Sequence, residues 1–167
     1  MRWMAAVLCA IMLVGCASSP TRPPVGKTNR VVSRPDAPQI NPHEGAREIV
    51  MYALGLIDVG YQFGGKNPES GLDCSGMVAF IFKNALGLVL PHNAAEIART
   101  TRPIERKQLA AGDLVFFNTR NKPFSHVGIY IGDDKFVHAP STNGRIRIDS
   151  MKANYFAQRY EAARSVF

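Results

Sequence analysis

The chain has 167 residues, a formal net charge of +7 and a hydrophobic fraction of 46%. This length favours a single domain, because domains cluster at about 100–150 residues. The hydrophobic fraction excludes both a wholly disordered chain and a multi-span membrane protein. Three cysteines cannot build a disulfide framework, and the positive charge makes an anionic partner worth considering.

The first residues have the layout of a secretory signal. Arg2 precedes an apolar run over residues 5–14, which is too short to span a bilayer. The letters LVGC at residues 13–16 resemble the lipobox of bacterial lipoproteins, which implies cleavage before Cys16 and lipidation of that cysteine. We therefore assign residues 1–15 to a lipoprotein signal peptide, the alternative being a buried N-terminal helix or strand.

A proline-rich stretch follows the lipobox. Six of the eleven prolines fall between Pro20 and Pro42, and residues 17–40 contain no aromatic side chain. Proline fixes φ and lacks an N–H donor, so residues 16–40 are predicted to be a flexible tether that carries the lipidated cysteine. Every tyrosine and phenylalanine follows residue 51, so the folded domain is assigned to residues 41–167.

Three helices are predicted in the first half of the domain, and each begins at a capping residue. The first is expected to begin at Asn41 and to end at Gly60, and the second to begin at Asp73 and to end at Gly87. A shorter third helix follows Asn93. The second helix is mostly apolar and is expected to be the buried central helix. The glycine-rich residues 61–71 between the first two helices are expected to form a loop.

The pattern of the sequence changes after Gly112. Short segments rich in β-formers are separated by turn residues, and five strands are predicted at residues 113–117, 126–131, 135–139, 145–149 and 160–167. Helices followed by strands predict an α+β domain in which the N-terminal helices pack on a central antiparallel sheet of about five strands.

Cys74 is the only thiol outside the predicted signal peptide and the lipidation site. Its expected position at a helix N-terminus would stabilise a thiolate, because unpaired N–H groups and the helix dipole favour negative charge there. His126 and His138, on neighbouring predicted strands, could supply the base and the orienting group that a nucleophilic cysteine needs. The alternative is a buried structural cysteine.

The register of the predicted hairpin decides whether the two histidines can meet. A two-residue turn at residues 133–134 would pair Gly132 with Lys135 and put His126 and His138 on opposite faces of the sheet. An odd-length loop or one β-bulge would bring them to the same face. A site that uses both histidines therefore requires one of these irregularities.

Metal and nucleic-acid binding are competing uses of these residue types. One cysteine and two histidines could ligate zinc, but no Cys-x-x-Cys or His-x-Glu pattern is present, so we expect no metal and no cofactor. No basic stripe interleaved with aromatic residues occurs, so no nucleic-acid partner is expected.

Five ordered motifs resemble the NlpC/P60 family. They are Tyr61-Gln62-Phe63-Gly64-Gly65, Asp73-Cys74-Ser75-Gly76, Ala111-Gly112-Asp113-Leu114-Val115-Phe116-Phe117, His126-Val127-Gly128-Ile129-Tyr130-Ile131-Gly132 and Phe136-Val137-His138-Ala139. The resemblance implies a papain-like fold and a cysteine peptidase that acts on the peptide stems of bacterial cell walls. It also implies that Cys74 is the nucleophile, His126 the general base and His138 the residue that orients the base.

The same resemblance implies that Tyr61, Asp73 and Ser75 lie at the substrate. With the lipobox at Cys16, the chain is similar to the outer-membrane murein endopeptidase lipoproteins of Gram-negative bacteria, which implies an anchor in the outer membrane and a domain that faces the periplasm. We expect a monomer. The resemblance leaves two candidates for the cleaved bond, one within a stem peptide and one at a cross-link. A catalytically weak or inactive peptidoglycan-binding lipoprotein is the alternative. Because His138 offers a neutral ring rather than a carboxylate, a loss of activity below about pH 6 is expected.

Overall fold

A computed structural model describes residues 41–141 and 144–167. The expected signal peptide and the lipidated tether lie outside these residues. The described elements, in chain order, are α1 Pro42–Gly55, β1 Lys66–Asn67, β2 Gly71–Leu72, α2 Cys74–Leu86, α3 Ala94–Thr100, β3 Arg102–Ile104, a 3₁₀ turn Arg106–Gln108, β4 Leu114–Phe117, β5 His126–Gly132, β6 Lys135–His138, β7 Arg147–Ser150, α4 Asn154–Ala157 and β8 Tyr160–Ser165.

The three predicted helix starts are confirmed. The side chains of Asn41, Asp73 and Asn93 each accept a hydrogen bond from a backbone N–H in the first turn of α1, α2 and α3. These bonds satisfy donors that a helix leaves unpaired at its N-terminus. The predicted end of α2 is also confirmed, because Gly87 adopts a left-handed conformation at φ 68°.

The end of α1 differs from the prediction, because the helix ends at Gly55 and not at Gly60. The chain beyond α1 bonds to the segment that leads into β7 instead of continuing the helix. The Asp58 N–H donates to the Ile146 carbonyl at 2.9 Å, and the Ile146 N–H donates to the Val59 carbonyl at 2.9 Å. Helical hydrogen bonds are thus replaced by bonds to a segment nearly ninety residues away.

Six strands form the main sheet, in the order β3-β8-β4-β5-β6-β7, and every neighbouring pair is antiparallel. The five predicted strands are present with slightly different ends. The sixth, β3, is a three-residue edge strand that contains Pro103, and proline is tolerated at a sheet edge. Two residues each from β1 and β2 form a separate small ladder within the predicted loop.

Side chains alternate across the sheet and form two clusters. Leu114 and Phe116 face α2, which lies between α1 and the sheet with Met77, Ile81 and other side chains fully buried. The opposite face carries the second cluster, which consists of Val115, Phe117, Phe136, Met151 and Phe156. Both faces of the central strands are therefore covered, which explains the continuous apolar run in β4. Among the described residues, none of the helices is both long and apolar enough to cross a membrane.

Candidate active site

Cys74 is the first residue of α2, and its side chain is partly buried against the cluster between α2 and the sheet. The backbone of Val127 is close enough to hydrogen-bond to the thiol. Because His126 directly precedes Val127, the start of α2 and the start of β5 meet at this point. Within the described ranges, the thiol and the His126 ring form no direct hydrogen bond. Such bonds between catalytic groups commonly tighten only when substrate is bound.

The carboxylate of Asp73 joins three segments around Cys74. Its Oδ1 accepts hydrogen bonds from the Gly76 N–H at 2.7 Å and the Ser75 hydroxyl at 2.9 Å, and lies 3.2 Å from His92 Nε2. Its Oδ2 accepts from the Gly64 N–H at 3.0 Å. Asp73 therefore caps the helix and holds the preceding loop against it, so both of its oxygens face protein groups.

Gly76 is required for this close approach. A Cβ atom built on Gly76 would lie 2.0 Å from the carbonyl oxygen of Gly65 and 2.7 Å from His92 Nε2. A real Cβ cannot occupy such a position without displacement of the backbone around it. The glycine of the Asp-Cys-Ser-Gly motif thus allows the loop to pack directly on the first turn of α2.

A β-bulge brings the two predicted histidines to one face of the sheet. The turn at residues 133–134 has two residues, both at positive φ, and Gly132 pairs with Lys135 as expected. The register then shifts, so that Tyr130 pairs with Phe136. His126 and His138 therefore lie on the same face, and the irregularity that the sequence required is present.

The two rings form the middle of a hydrogen-bonded chain. His126 Nε2 lies 2.8 Å from His138 Nδ1, and His138 Nε2 lies 2.8 Å from Oδ2 of Asp149. The Arg147 Nε–H donates to the same oxygen of Asp149 at 3.0 Å. Both rings are buried, His138 to 1% exposure, whereas the Asp149 side chain is 26% exposed.

Asp149 and Arg147 are site residues that sequence reasoning missed. Both lie on β7, which pairs with β6 so that Phe136 faces Asp149 and His138 faces Arg147. The predicted strand at residues 145–149 ended at Asp149, and its hairpin with β6 could have suggested a carboxylate beside His138. The long connection between the two strands left that register open.

Burial controls the protonation of the site. It lowers the pKa of His126 to about 3, and the charges of His138 and Arg120 act in the same direction while Asp149 opposes them. Burial also lowers the pKa of His138, against the hydrogen bond and charge of Asp149. The pKa of Cys74 is raised, first by burial and then by the charge of Asp73, while backbone hydrogen bonds and Arg120 lower it. The resting site therefore holds an uncharged thiol and uncharged rings.

A cavity of about 380 Å³ opens beside the thiol, and the predicted substrate residues Tyr61, Asp73 and Ser75 line it with Cys74. Arg120 also lines this cavity, and its guanidinium donates to the Tyr61 hydroxyl at 3.5 Å. The aromatic and cationic side chains therefore face the same space as the sulfur. His126 and His138 line a second cavity of about 440 Å³ with Asp149.

Within residues 41–141 and 144–167, no group of three or more His, Cys, Asp or Glu side chains is arranged to hold a metal ion. The predicted lipidation site at Cys16 lies outside these ranges.

Two curated relatives are similar to the chain in sequence. The chain is 40% identical over 109 residues to murein DD-endopeptidase MepH of Escherichia coli strain K12, and this alignment covers 64% of the chain and 40% of that protein. It is 42% identical over 108 residues to murein DD-endopeptidase MepS/murein LD-carboxypeptidase of the same strain, which covers 65% and 56%. The chain thus spans only about half the length of these relatives.

Solved structures share the fold. An NlpC/P60 family protein from Bacillus cereus ATCC 10987 superposes with a TM-score of 0.67 at 25% identity, over 72% of this chain and 39% of that one. The NlpC/p60 domain of the peptidoglycan hydrolase SagA superposes with a TM-score of 0.64 at 26% identity, over 76% of this chain and 100% of that one. The expected α+β class is confirmed. The model of the NlpC/P60 family matches residues 58–165, well over half of the sequence, and the chain therefore belongs to the NlpC/P60 family.

Proposed function

We propose that this chain is a cysteine peptidase that hydrolyses peptide bonds in the stem peptides of peptidoglycan, with Cys74 as nucleophile, His126 as general base and His138 as the residue that orients the base. The observation that carries this proposal is the meeting of a helix-N-terminal thiol with the strand that begins at a buried, hydrogen-bonded histidine pair. The names of the relatives, murein endopeptidases and a peptidoglycan hydrolase, support the substrate class.

The reaction begins from an uncharged thiol and an uncharged imidazole. As Cys74 Sγ attacks the substrate carbonyl carbon, its proton passes to His126 Nδ1, the ring nitrogen that does not face His138. The carbonyl π electrons move to oxygen, and the backbone N–H of Cys74 has no intrahelical acceptor at this first helical position and can donate to that oxyanion.

Collapse of the intermediate breaks the C–N bond. The His126 imidazolium gives its proton to the departing amine, and a thioester to Cys74 remains. His126 then takes a proton from water as the water oxygen attacks the thioester carbonyl. The C–S bond breaks, the acid product leaves, and the proton returns from His126 to sulfur.

The cavity beside the thiol is suited to a polar peptide. Arg120 and Lys122 line this cavity. The acidic residue that lines it, Asp73, already accepts hydrogen bonds from protein groups on both carboxylate oxygens. An anionic segment of a stem peptide would therefore meet positive charge beside Cys74. The exposed Phe63, 73% accessible at the rim, offers an apolar contact to the same substrate.

We also propose that the enzyme is a monomeric lipoprotein, held through lipidated Cys16 at the outer membrane and facing the periplasm. The lipobox and the proline-rich residues that follow it support this placement. Cells that produce the chain can be labelled with a fatty-acid probe and their membranes fractionated to test this anchor. We expect the wild-type chain to be labelled and to sediment with the outer membrane. A Cys16→Ala chain that is still labelled and still sediments with the outer membrane would contradict the anchor.

The enzymatic proposal is tested by digestion of purified muropeptides, with products identified by mass spectrometry. We expect Cys74→Ala to abolish cleavage while it leaves the melting temperature almost unchanged, and Ser150→Ala, at the end of the edge strand β7, to retain full activity. The masses of the wild-type products identify which bond is cut. A Cys74→Ala chain that still cleaves, or a wild-type chain that only sediments with murein sacculi, would contradict the proposal, and the second result would favour a binding lipoprotein.

A further inference from the structure

We propose that Asp149 is a positioning residue that determines where the protons lie on both histidine rings, so that the site is a chain of four residues rather than three. This inference rests on the proposed roles of Cys74 and His126. It is carried by the two 2.8 Å contacts that run from His126 through His138 to the carboxylate.

The proton positions follow from the carboxylate end of the chain. A carboxylate can only accept hydrogen bonds, so His138 Nε2 must carry a proton to bond to Asp149 Oδ2. In an uncharged ring the other nitrogen is then an acceptor, so His138 Nδ1 must accept from His126 Nε2–H. His126 Nδ1 is consequently left unprotonated. That nitrogen is the one that has to receive the thiol proton.

The histidine pair alone would not select this arrangement. If Asp149 were absent, His138 Nδ1–H could donate to His126 Nε2 at the same distance, with both rings still uncharged. His126 would then carry its proton on Nδ1 and could not act as a base. The two arrangements have the same number of hydrogen bonds between the rings, and only an acceptor behind His138 distinguishes them.

The surroundings of Asp149 keep it ionised for this role. The hydrogen bond from His138 lowers the pKa of Asp149, and the hydrogen bond and charge of Arg147 lower it further. Arg147 also fixes the carboxylate in place, because its Nε–H donates to the same Oδ2 at 3.0 Å. The carboxylate is therefore an acceptor throughout the range in which the enzyme would work.

Nitrogen-15 NMR of the labelled full chain reads these proton positions directly, because protonated and bare imidazole nitrogens differ widely in chemical shift. In the wild type we expect protonated Nε2 and bare Nδ1 on both His126 and His138. Asp149→Ala removes the acceptor, and a water molecule in its place can either accept from or donate to His138 Nε2, so we expect a mixture of the two arrangements. We also expect a fall in kcat/KM of at least about twofold, the loss that an equal mixture gives when only the form with an unprotonated His126 Nδ1 can act as a base.

Asp134→Asn is the control for the loss of an ion-paired carboxylate, and Asn tolerates the positive φ of this position. Asp134 is also an ion-paired carboxylate, with Lys152 at 2.6 Å and Arg106 at 3.8 Å, but it lies in the β5–β6 turn away from the rings. This control should leave both the ring protonation and kcat/KM unchanged. A merely structural role of Asp149 would lower activity through unfolding, which the melting temperature reports, and would leave the ring spectra of the folded fraction unaltered.

The inference is overturned if wild-type His138 Nε2 is unprotonated, or if Asp149→Ala leaves both the ring protonation and kcat/KM as they are in the wild type. The NMR result does not depend on the substrate. If the wild-type chain has the expected protonation but cleaves no muropeptide, and Asp149→Ala loses that protonation, the role of Asp149 is supported and the proposed function is contradicted.

Discussion

Replacement of Asp73 by Ala should destabilise the fold and at the same time make the thiol more acidic. The carboxylate makes four contacts to neighbouring protein groups, two of them with backbone N–H groups, and its side chain is only 13% exposed. Loss of the helix cap costs about 1 kcal/mol, and each other lost contact adds up to about 1 kcal/mol because water cannot fully replace it. We therefore expect Asp73→Ala to lower the free energy of unfolding by about 2–4 kcal/mol.

Urea denaturation of the purified chain measures this loss, and Asn93→Ala is the matched control. Asn93 caps α3 through one bond to the Glu96 N–H at 3.1 Å, so its loss should cost about 1 kcal/mol. The second measurement is the pH dependence of Cys74 alkylation by iodoacetamide, followed by peptide mass spectrometry. The charge of Asp73 raises the pKa of Cys74, so that pKa should fall in Asp73→Ala. An Asp73→Ala chain that is no less stable than Asn93→Ala would refute the reasoning.

Two further predictions concern the motif glycine and the acid limb of activity. Gly76→Ala places a Cβ 2.0 Å from the Gly65 carbonyl oxygen, so it should lower the free energy of unfolding by about 2–3 kcal/mol and remove most of the muropeptide cleavage. Urea denaturation measures the loss of stability. Gly55→Ala is the control, because its Cβ meets nothing within 4 Å and the change should be neutral or stabilising. Because burial lowers the pKa of His126 to about 3, the ring becomes protonated only in strong acid, and kcat/KM should stay level from about pH 8 to about pH 5. That profile replaces the loss below about pH 6 expected from sequence, and an acid midpoint near 6.5 would contradict it.

The parts of the site that depend only on residues adjacent in the sequence could be predicted. The N-cap at Asp73, the position of Cys74 in the first turn of α2 and the end of that helix at Gly87 all follow from local chemistry. The end of α1 could not be predicted in this way. It depends on hydrogen bonds to Ile146, and no pattern within α1 records them.

The hairpin shows how far sequence reasoning reaches at the histidines. Because side chains alternate along a strand, the sequence showed that the two histidines share a face only with an odd-length loop or a β-bulge. The structure combines the two-residue turn with a bulge after Tyr130. Neither feature alone is unusual, and aspartates at positions 133 and 134 tolerate the positive φ that this turn requires. Asp149 was missed because it reaches His138 only through the pairing of β6 with β7.

The position of Asp149 one ring away from the base has a consequence for the chemistry of the thiol. The cap that holds Cys74 at the start of α2 is anionic, and its charge opposes formation of a thiolate before substrate arrives. A resting site of this kind depends on a base that stays unprotonated, because the thiol proton has to move during attack. A carboxylate in direct contact with His126 would raise the pKa of that ring and favour the protonated form. With the uncharged His138 between them, Asp149 can direct the protons through hydrogen bonds while its charge raises the pKa of His126 less than burial lowers it. In the proposed mechanism, the two histidines thus separate orientation of the base from control of its charge.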